Sequence, residues 1–379
     1  MQLAFQVGSR ASTMSLRGKY GMSPLLKMLL RHRKKKCFFI AFAFCCGILV
    51  LLYIWDYYGL SDVLYETSFS DFAWPLNINL AEAVRKIQNN EKLDIAQINP
   101  FPFKIRMQNE NLCKDVIVKN SAIFVLIVVK SACWSFESRH IIRKSWGNEK
   151  TISVNHSGTE YQLVTKRVFL IGHSSSLDSQ YLLREEYQMY KDLIQGDFED
   201  GYFNNTYKTM MAFSYASLHC HNAHFAFFVD EDFYISKRNT AQFLASLPAT
   251  SAQNLYIGFS LFTNTRVNRN KKHKRYVPLA EYPYSRIPPY VYAGAYILSM
   301  KNIRDMSVAM HYVKFFRMDD VYLGLIAYRL GITISDGGKR FLMEFYTSSD
   351  VVNSHVIASH GFRGKMSLMR EFWDLAAET

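Results

Sequence analysis

Three consecutive carboxylates, Asp230, Glu231 and Asp232, interrupt the apolar and aromatic run of residues 228–234. Adjacent carboxylates repel one another and raise each other's pKa, so the cluster is unfavourable unless a cation shares its charge. Carboxylate and phosphate oxygens are the ligands that Mg²⁺ and Mn²⁺ prefer. The triplet is therefore typical either of a divalent-cation site that holds a diphosphate or of a solvated turn after a strand, and by itself it favours neither.

A second acidic pair, Asp319 and Asp320, stands at the start of a predicted apolar helix. Helix N-termini favour carboxylates through capping and through the helix dipole, so the pair alone indicates no more than a helix start. Combined with the triplet, the pair predicts a division of roles. One carboxylate cluster would bind a metal ion, and the other would supply a general base.

Two further segments carry candidate binding residues. Arg139 and Arg143 are four residues apart and share a helix face, where they would suit phosphates or carboxylates. The alternative is a solvated helix on which Trp146 merely packs. Gly294 lies inside the β-like run 290–299, which indicates close approach of a ligand or of another backbone.

The elements that must position these residues alternate between strands and helices, which predicts one α/β domain with a mixed, mostly parallel sheet. Ligands of such sheets bind beyond the carboxyl ends of the strands, where the acidic triplet falls. The expected strands are 123–129, 167–172, 225–229, 255–259 and 291–298. The expected helices are 80–89, 137–146, 178–194, 207–219, 237–245, 301–311 and 319–330.

The formal net charge of +13 is concentrated at the N-terminus, where residues 1–36 carry nine Lys and Arg and no Asp or Glu. The next nineteen residues, 37–55, are uncharged and would span about 28 Å as a helix, close to the hydrocarbon thickness of a bilayer. By the positive-inside rule we expect a cytoplasmic basic tail at 1–36, a transmembrane signal anchor at 37–55 and a lumenal remainder. This type II topology argues against nucleic-acid binding.

The lumenal part divides by composition. Residues 56–115 mix aromatic, Asn, Pro and charged residues without sustained periodicity, which predicts a stem with one short helix. Regular strand and helix patterns begin after that point, so residues 116–379 are expected to form the folded lumenal domain.

A lumenal location permits disulfides and glycans. Cys113, Cys133 and Cys220 are the cysteines beyond the predicted span, and they allow one disulfide with three alternative pairings. Asn155 and Asn204 begin N-x-Ser/Thr sequons and are the predicted glycosylation sites.

In combination, these segments resemble the β1,3-glycosyltransferases related to fringe, which transfer galactose, N-acetylgalactosamine or N-acetylglucosamine. Each motif is weak alone, but their ordered set is specific, and the resemblance covers about residues 115–375. The matching segments are 139–147 (RHIIRKSWG), 168–172 (VFLIG), 196–209 (GDFEDGYFNNTYKT), 229–233 (VDEDF), 282–283 (YP), 290–299 (YVYAGAYILS) and 319–324 (DDVYLG).

The resemblance implies a GT-A-like nucleotide-sugar-binding fold, with residues 116–379 as the catalytic domain of a Golgi type II membrane enzyme. Such an enzyme uses a UDP-sugar and Mn²⁺ and transfers a hexose, here expected to be galactose, to the 3-hydroxyl of an acceptor glycan on a glycoprotein or glycolipid, with inversion. Transfer of N-acetylglucosamine or N-acetylgalactosamine is the alternative. A catalytically silent Golgi chaperone or partner subunit is the alternative from another class. Homo-oligomers and hetero-oligomers with other Golgi glycosyltransferases stay open.

By motif position, the resemblance implies that Asp232 is the direct metal ligand and that Asp230 lies nearer the nucleotide while also contributing to the metal site. His360 would be a further metal ligand, with His355 as its competitor. Glu231 is assigned to the donor site, although it stands where the family usually has Asp. This change of side-chain length puts donor-sugar selectivity in question.

The resemblance also implies the remaining roles. Asp320 would be the base that deprotonates the acceptor hydroxyl, with Asp319, where Glu is common, as the second candidate. Arg143 and Trp146 would support the donor site, and Gly294 would line the sugar pocket.

Overall fold

The computed structural model describes residues 23–72, 74, 78–118, 121–261, 265–343 and 355–377. Residues 1–22 of the predicted cytoplasmic tail lie outside this part of the chain. The described residues divide into two compact units, one ending at Leu64 and including 269–276, the other containing 65–268 and everything after 276.

The first unit is dominated by helix α1 (Pro24–Tyr57), which is followed by the short helix α2 (Leu60–Leu64). Within the described residues, one helical segment, Lys27–Tyr57, is long and apolar enough to cross a membrane. It contains the predicted signal anchor 37–55. By length and composition it is compatible with a type II membrane anchor.

The second unit contains the remaining regular elements. Its strands are β1 (Ile105–Met107), β2 (Ala122–Lys130), β3 (Ile152–His156), β4 (Thr159–His173), β5 (Leu193–Glu199), β6 (Phe225–Asp230), β7 (Phe233–Ile235), β8 (Tyr256–Leu261), β9 (Thr265–Arg266), β10 (Arg286–Ile287), β11 (Tyr290–Ser299), β12 (Ser335–Asp336), β13 (Phe341–Leu342) and β14 (Ala358–His360). Its helices are α3 (Leu80–Gln88), α4 (Phe136–Lys144), α5 (Leu177–Tyr190), α6 (Asn205–His219), α7 (Lys237–Ala245), α8 (Ala249–Gln253), α9 (Met300–Ala309), α10 (Asp319–Leu330) and α11 (Met366–Ala377).

A large mixed sheet forms the centre of this unit, with strand order β1-β5-β4-β2-β6-β11-β8-β12 and β3 paired to β4. The four neighbouring strands β5, β4, β2 and β6 are parallel, whereas β11 runs antiparallel to β6 and β8. A small sheet, β13-β14-β7, lies beside the carboxyl end of β6. The architecture confirms the predicted α/β fold class.

The continuous apolar run in β2 explains why this strand lies at the centre. Its side chains point alternately to the two sheet faces, and both faces are covered. Phe124, Leu126 and Val128 belong to one hydrophobic cluster, whereas Val125 and Ile127 belong to the other. A strand buried on both faces needs an unbroken apolar sequence, which is the pattern that predicted it.

The predicted helix 178–194 extends too far at its C-terminal end. Helix α5 ends at Tyr190 because Lys191 adopts a left-handed conformation with φ of 55°, and the apolar residues that follow form β5. The amide of Phe169 donates to the carbonyl of Asp192, which leads the chain into the sheet. Residues 193–194 fit both a helix and a strand pattern, so periodicity alone could not place this boundary.

Part of the predicted stem packs within the second unit. Leu80 and Val84 of helix α3 are buried in the core, and the side-chain amide of Asn99 donates to the hydroxyl of Tyr322 at 2.7 Å. Cys113 forms a disulfide with Cys220, which selects one of the three pairings left open by the sequence. The predicted stem from residue 65 onward therefore belongs to the second unit.

We expect replacement of Cys113 and Cys220 by Ala to lower the free energy of unfolding by about 3 to 5 kcal/mol, because the bond closes a long loop. The two cysteines are 107 residues apart. Urea unfolding followed by circular dichroism measures the change. The matched control is Cys133→Ala, which removes a buried but unpaired thiol. Equal losses in both variants would show that the bond itself adds little.

Candidate active site

A polar cleft of about 410 Å³ opens at the carboxyl ends of β2 and β6. Its walls come from the loop after β2, the segment that leads into α6, the acidic triplet and the start of α11. The lining residues are Lys130, Ser131, Ala132, Trp134, Ser135, Ser138, Asp200, Gly201, Tyr202, Asn205, Lys208, Asp230, Glu231, Asp232, Arg363, Gly364 and Met366. Both cationic and anionic side chains line the cleft, so it is suited to a charged ligand.

The acidic triplet occupies the edge of the sheet that the strand pattern predicted. Asp230 is the last residue of β6 and lies in register with Lys130, the last residue of β2. Glu231 and Asp232 form the tight turn that leads into β7. All three carboxylates line the cleft.

Lys130 joins the two acidic segments. Its Nζ lies 3.0 Å from Asp230 Oδ1 and 2.8 Å from Asp319 Oδ2, and Thr209 Oγ1 donates to the same Asp319 oxygen at 3.2 Å. Burial disfavours the ammonium charge, but the two carboxylates outweigh it and hold the pKa of Lys130 above its usual value. The triplet and the start of α10 are thus in direct electrostatic contact.

The carboxyl of Asp230 titrates far from its usual range. Burial, together with the negative charges of Asp232 and Asp319, raises its pKa to about 7, although the ammonium of Lys130 opposes the shift. Asp230 therefore changes charge near neutral pH, so a bound divalent cation would compete directly with a proton there.

Both carboxylate oxygens of Glu231 are bound within the protein. Ser131 Oγ donates to Glu231 Oε2 at 2.5 Å and Ser135 Oγ donates to Oε1 at 2.8 Å. Arg139 supports this arrangement from below, because its Nη1 donates to Ser131 Oγ at 3.0 Å and to the carbonyl of Ala132 at 2.7 Å. Glu231 therefore braces the loop that forms one wall of the cleft.

Asp232 and His360 form the arrangement best suited to a metal ion. Antiparallel pairing of β7 with β14 places His360 opposite Phe233, so that His360 Nε2 lies 3.4 Å from Asp232 Oδ2. Across the part of the chain that the structure describes, no three His, Cys, Asp or Glu side chains group as a metal site. A carboxylate and an imidazole fit an ion that takes its other ligands from a bound diphosphate. His355 lies before β14 and is exposed.

Gly294 leaves space for the ring of Phe233, a neighbour that the sequence did not indicate. A Cβ at this position would lie 2.5 Å from Cζ of Phe233, so the close approach is made by an aromatic side chain, in place of the expected ligand or backbone. The Phe233 ring in turn lies 4.9 Å, centroid to centroid, from the ring of His360. Gly294 is not among the described residues that line the cleft, and its effect on the site passes through Phe233.

Arg143 and Trp146 lie in the protein core. Arg143 is paired with Glu186 at 2.7 Å and with Asp192 at 2.8 Å, and Trp146 is fully buried with its Nε1 3.1 Å from Met369 Sδ. Neither residue belongs to the described lining of the cleft. The face of α4 that carries both arginines is turned inward, so any support of the donor site by these residues is indirect.

The acidic pair of α10 has two different environments. Asp319 is buried and held by Lys130 and Thr209, whereas Asp320 is half-buried and accepts a hydrogen bond from the amide of Val321 at 2.8 Å. Both lie in the first turn of α10, where the helix dipole favours carboxylates as the sequence indicated, although the cap residue Met318 makes no side-chain hydrogen bond.

The comparisons with known proteins agree with this geometry. The family model described as galactosyltransferase matches residues 137–337, a stretch that contains both acidic segments. The chain belongs to the galactosyltransferase family. It is 33% identical to "Beta-1,3-galactosyltransferase brn" of Drosophila melanogaster, over 87% of this chain and 94% of that protein.

Other relatives carry the names of two transferase types. The chain is 26% identical to "Lactosylceramide 1,3-N-acetyl-beta-D-glucosaminyltransferase A" of Danio rerio, over 92% of this chain and 88% of the relative. It is 29% identical to "Beta-1,3-galactosyltransferase bre-5" of Caenorhabditis elegans, over 81% and 85%. The galactosyltransferase-family member described here is thus a hexosyltransferase that uses a UDP-sugar donor and a glycan acceptor.

Several residues of the galactosyltransferase site were not identified from the sequence. Lys208 Nζ contacts Asp200 Oδ1 at 2.7 Å and the carbonyl of Ser131 at 2.8 Å, and Asp200 Oδ2 accepts from the amides of Cys133 and Gly172. The available signal was a charged residue within an otherwise apolar element, which applies to Lys208 and to Lys130. Burial of such a residue requires a partner.

The two predicted glycosylation sites differ in their surroundings. Asn155 lies on the exposed strand β3, and its side-chain oxygen accepts from the amide of Gly158 at 3.2 Å. Asn204 is half-buried, and its Nδ2 donates to the carbonyl of Glu199 at 2.7 Å. Glycosylation of both stays a prediction.

We expect Glu231→Ala to lower the free energy of unfolding by about 2 to 3 kcal/mol, because two hydroxyl groups lose a charged acceptor. The affinity for UDP should fall as well, since the loop from Ser131 to Ser135 loses its brace. Chemical denaturation and calorimetric titration with UDP measure the two effects. Glu185→Ala, which removes an exposed carboxylate, is the matched control. An unchanged UDP affinity in Glu231→Ala would contradict the bracing role.

Proposed function

We propose that this protein is an inverting Golgi enzyme that transfers galactose from UDP-galactose to the 3-hydroxyl of an acceptor glycan and forms a β1,3 linkage. The observation that carries the proposal is that Lys130, which lines the cleft with the acidic triplet, pairs with both Asp230 and Asp319 at the start of α10, although Asp319 and Asp320 are not among the described residues that line the cleft. The names of the relatives, two of them β1,3-galactosyltransferases, support it.

The donor side would be formed by the triplet and the loop that Glu231 braces. Mn²⁺, when bound there by Asp232, His360 and the diphosphate with a contribution from Asp230, would neutralise the negative charge that develops on the departing UDP. With that charge neutralised, no protein acid needs to protonate the leaving group. Asp230 would lie on the nucleotide side, where its charge is balanced by Lys130.

The acceptor side would be formed by the start of α10. An inverting transfer is one in-line displacement, in which a single carboxylate removes the proton of the attacking hydroxyl. The oxygen Asp319 Oδ2 already accepts from Lys130 and Thr209, so that carboxylate is poorly available as a base. Asp320 is less buried than Asp319, which favours Asp320 as the base.

Two features of the chain bear on the alternatives. One relative is named as an N-acetylglucosaminyltransferase. UDP-N-acetylglucosamine therefore stays the second candidate donor, together with UDP-N-acetylgalactosamine. The carboxylates of the triplet and of the start of α10 are all present, which argues against a catalytically silent chaperone or subunit. Membrane insertion through 37–55 with a lumenal catalytic unit would complete the Golgi assignment, and association with other Golgi glycosyltransferases is compatible with it.

The direct test is transfer by the purified full-length protein in detergent, with the three UDP-sugars, Mn²⁺ and a panel of acceptor sugars. We expect β1,3 transfer from UDP-galactose, a loss of about a thousandfold in kcat for Asp320→Asn and little change in its UDP affinity. Asp232→Ala should instead weaken Mn²⁺-dependent UDP binding. Equal losses of UDP binding in both variants would contradict the division of roles, and absence of any UDP binding by the folded wild type would refute the proposal.

The raised pKa of Asp230 predicts how transfer depends on pH. Below about pH 7 the carboxyl is protonated and attracts a cation poorly, so the rate should rise as pH increases through this value. Because the cation competes with the proton, a higher Mn²⁺ concentration should move the midpoint of the profile to lower pH. Initial rates between pH 5.5 and 8.5 (a range of about three units around the pKa) at two Mn²⁺ concentrations measure the shift. A midpoint that does not respond to Mn²⁺ would show that another group governs the profile.

A further inference from the structure

We propose that Lys130 is a positioning residue that fixes the acceptor-side base relative to the donor-side carboxylates. The inference rests on the proposed function and adds a residue that touches neither reacting group. Lys130 is buried at the end of the central strand β2, with 4% of its side chain exposed. It therefore lies beneath the cleft as a fixed part of the sheet.

The contacts of Lys130 reach both halves of the site. Its ammonium group bridges Asp230, at the end of β6, and Asp319, at the start of α10. Its backbone carbonyl accepts from the amide of Glu231 at 3.1 Å. One residue thus holds two members of the triplet and the first residue of the helix that carries Asp320.

The charges around the Lys130 ammonium group restrict its position. A buried ammonium between two carboxylates, with Thr209 donating to one of them, has few alternative arrangements, because any displacement leaves a charge without a partner. Asp319 and Asp320 are consecutive, so fixing Asp319 also fixes the origin of the Asp320 side chain. Displacement of a catalytic group by about 1 Å can cost a hundredfold in rate.

Loss of the Lys130 bridge is expected to lower the rate of sugar transfer more than the rate of UDP-sugar hydrolysis. Attack by an acceptor hydroxyl requires that the hydroxyl, the base Asp320 and the anomeric carbon be aligned. Attack by water is less demanding, because a water molecule can reach the donor from several positions. Loss of the Lys130 bridge should therefore lower transfer selectively.

The test uses the double variant Lys130→Met with Asp319→Asn, which removes the ammonium together with one of its two carboxylate partners and leaves Asp230 as the remaining carboxylate. Rates of transfer and of UDP-sugar hydrolysis are measured on the full-length protein, with Mn²⁺–UDP affinity from calorimetry. We expect UDP affinity within about threefold of the wild type and hydrolysis reduced by a similar factor, while transfer falls about a hundredfold. The ratio of transfer to hydrolysis should then fall by at least about tenfold.

The matched control is Lys237→Met. It removes another buried lysine, whose Nζ donates to the carbonyls of Asn148 and Lys150, and it should leave the ratio unchanged. A ratio in the double variant equal to that of the wild type, or a parallel loss of transfer, hydrolysis and UDP affinity, would overturn the positioning role. A wild type that binds UDP but transfers no sugar would instead refute the proposed function, so the two failures are distinct.

Discussion

The buried ammonium group of Lys130 is the interaction on which the arrangement of the cleft depends. Carboxylates that converge at one edge of a sheet repel each other, and in a buried setting they cannot all stay ionised without a cation. Lys130 supplies that charge between Asp230 and Asp319. Because the lysine ends the central strand, the rigid sheet sets the distance between the two acidic segments. The same contact ties the acidic triplet to helix α10.

A second set of charges holds the wall of the cleft. Arg139 is fully buried and donates to Glu186 and to the loop after β2, and that loop in turn is bound to Glu231 through two serines. Each buried charge therefore has an opposite charge or a hydrogen-bond partner, as burial requires. The cleft gains a pre-formed wall, which lowers the ordering cost when a nucleotide binds.

The residues of the site divide into those that can meet a ligand and those that hold them in place. Asp232, His360 and Asp320 are half-buried, whereas Asp319 and Arg143 are buried. Glu231 lines the cleft but has both carboxylate oxygens bound by serines, and Gly294 accommodates Phe233. Motif position alone assigns all of them to one site. The structure separates the two groups through burial and hydrogen bonding, which explains how a longer side chain can stand at position 231: Glu reaches the hydroxyls of both Ser131 and Ser135.

The sequence by itself determined the central strands, the location of the triplet at a strand end, the acidic start of α10 and the apolar anchor helix. These features follow from local periodicity and from charge placement, which short stretches of chain contain. Only the tertiary structure decided the pairing of Cys113, the inward face of α4 and the role of Lys130. The physical reason is separation along the chain: Lys130 and Asp319 are 189 residues apart, and Ser131 and Glu231 are 100 apart. Which side chain meets which is set by how strands and helices pack, and no local pattern records that.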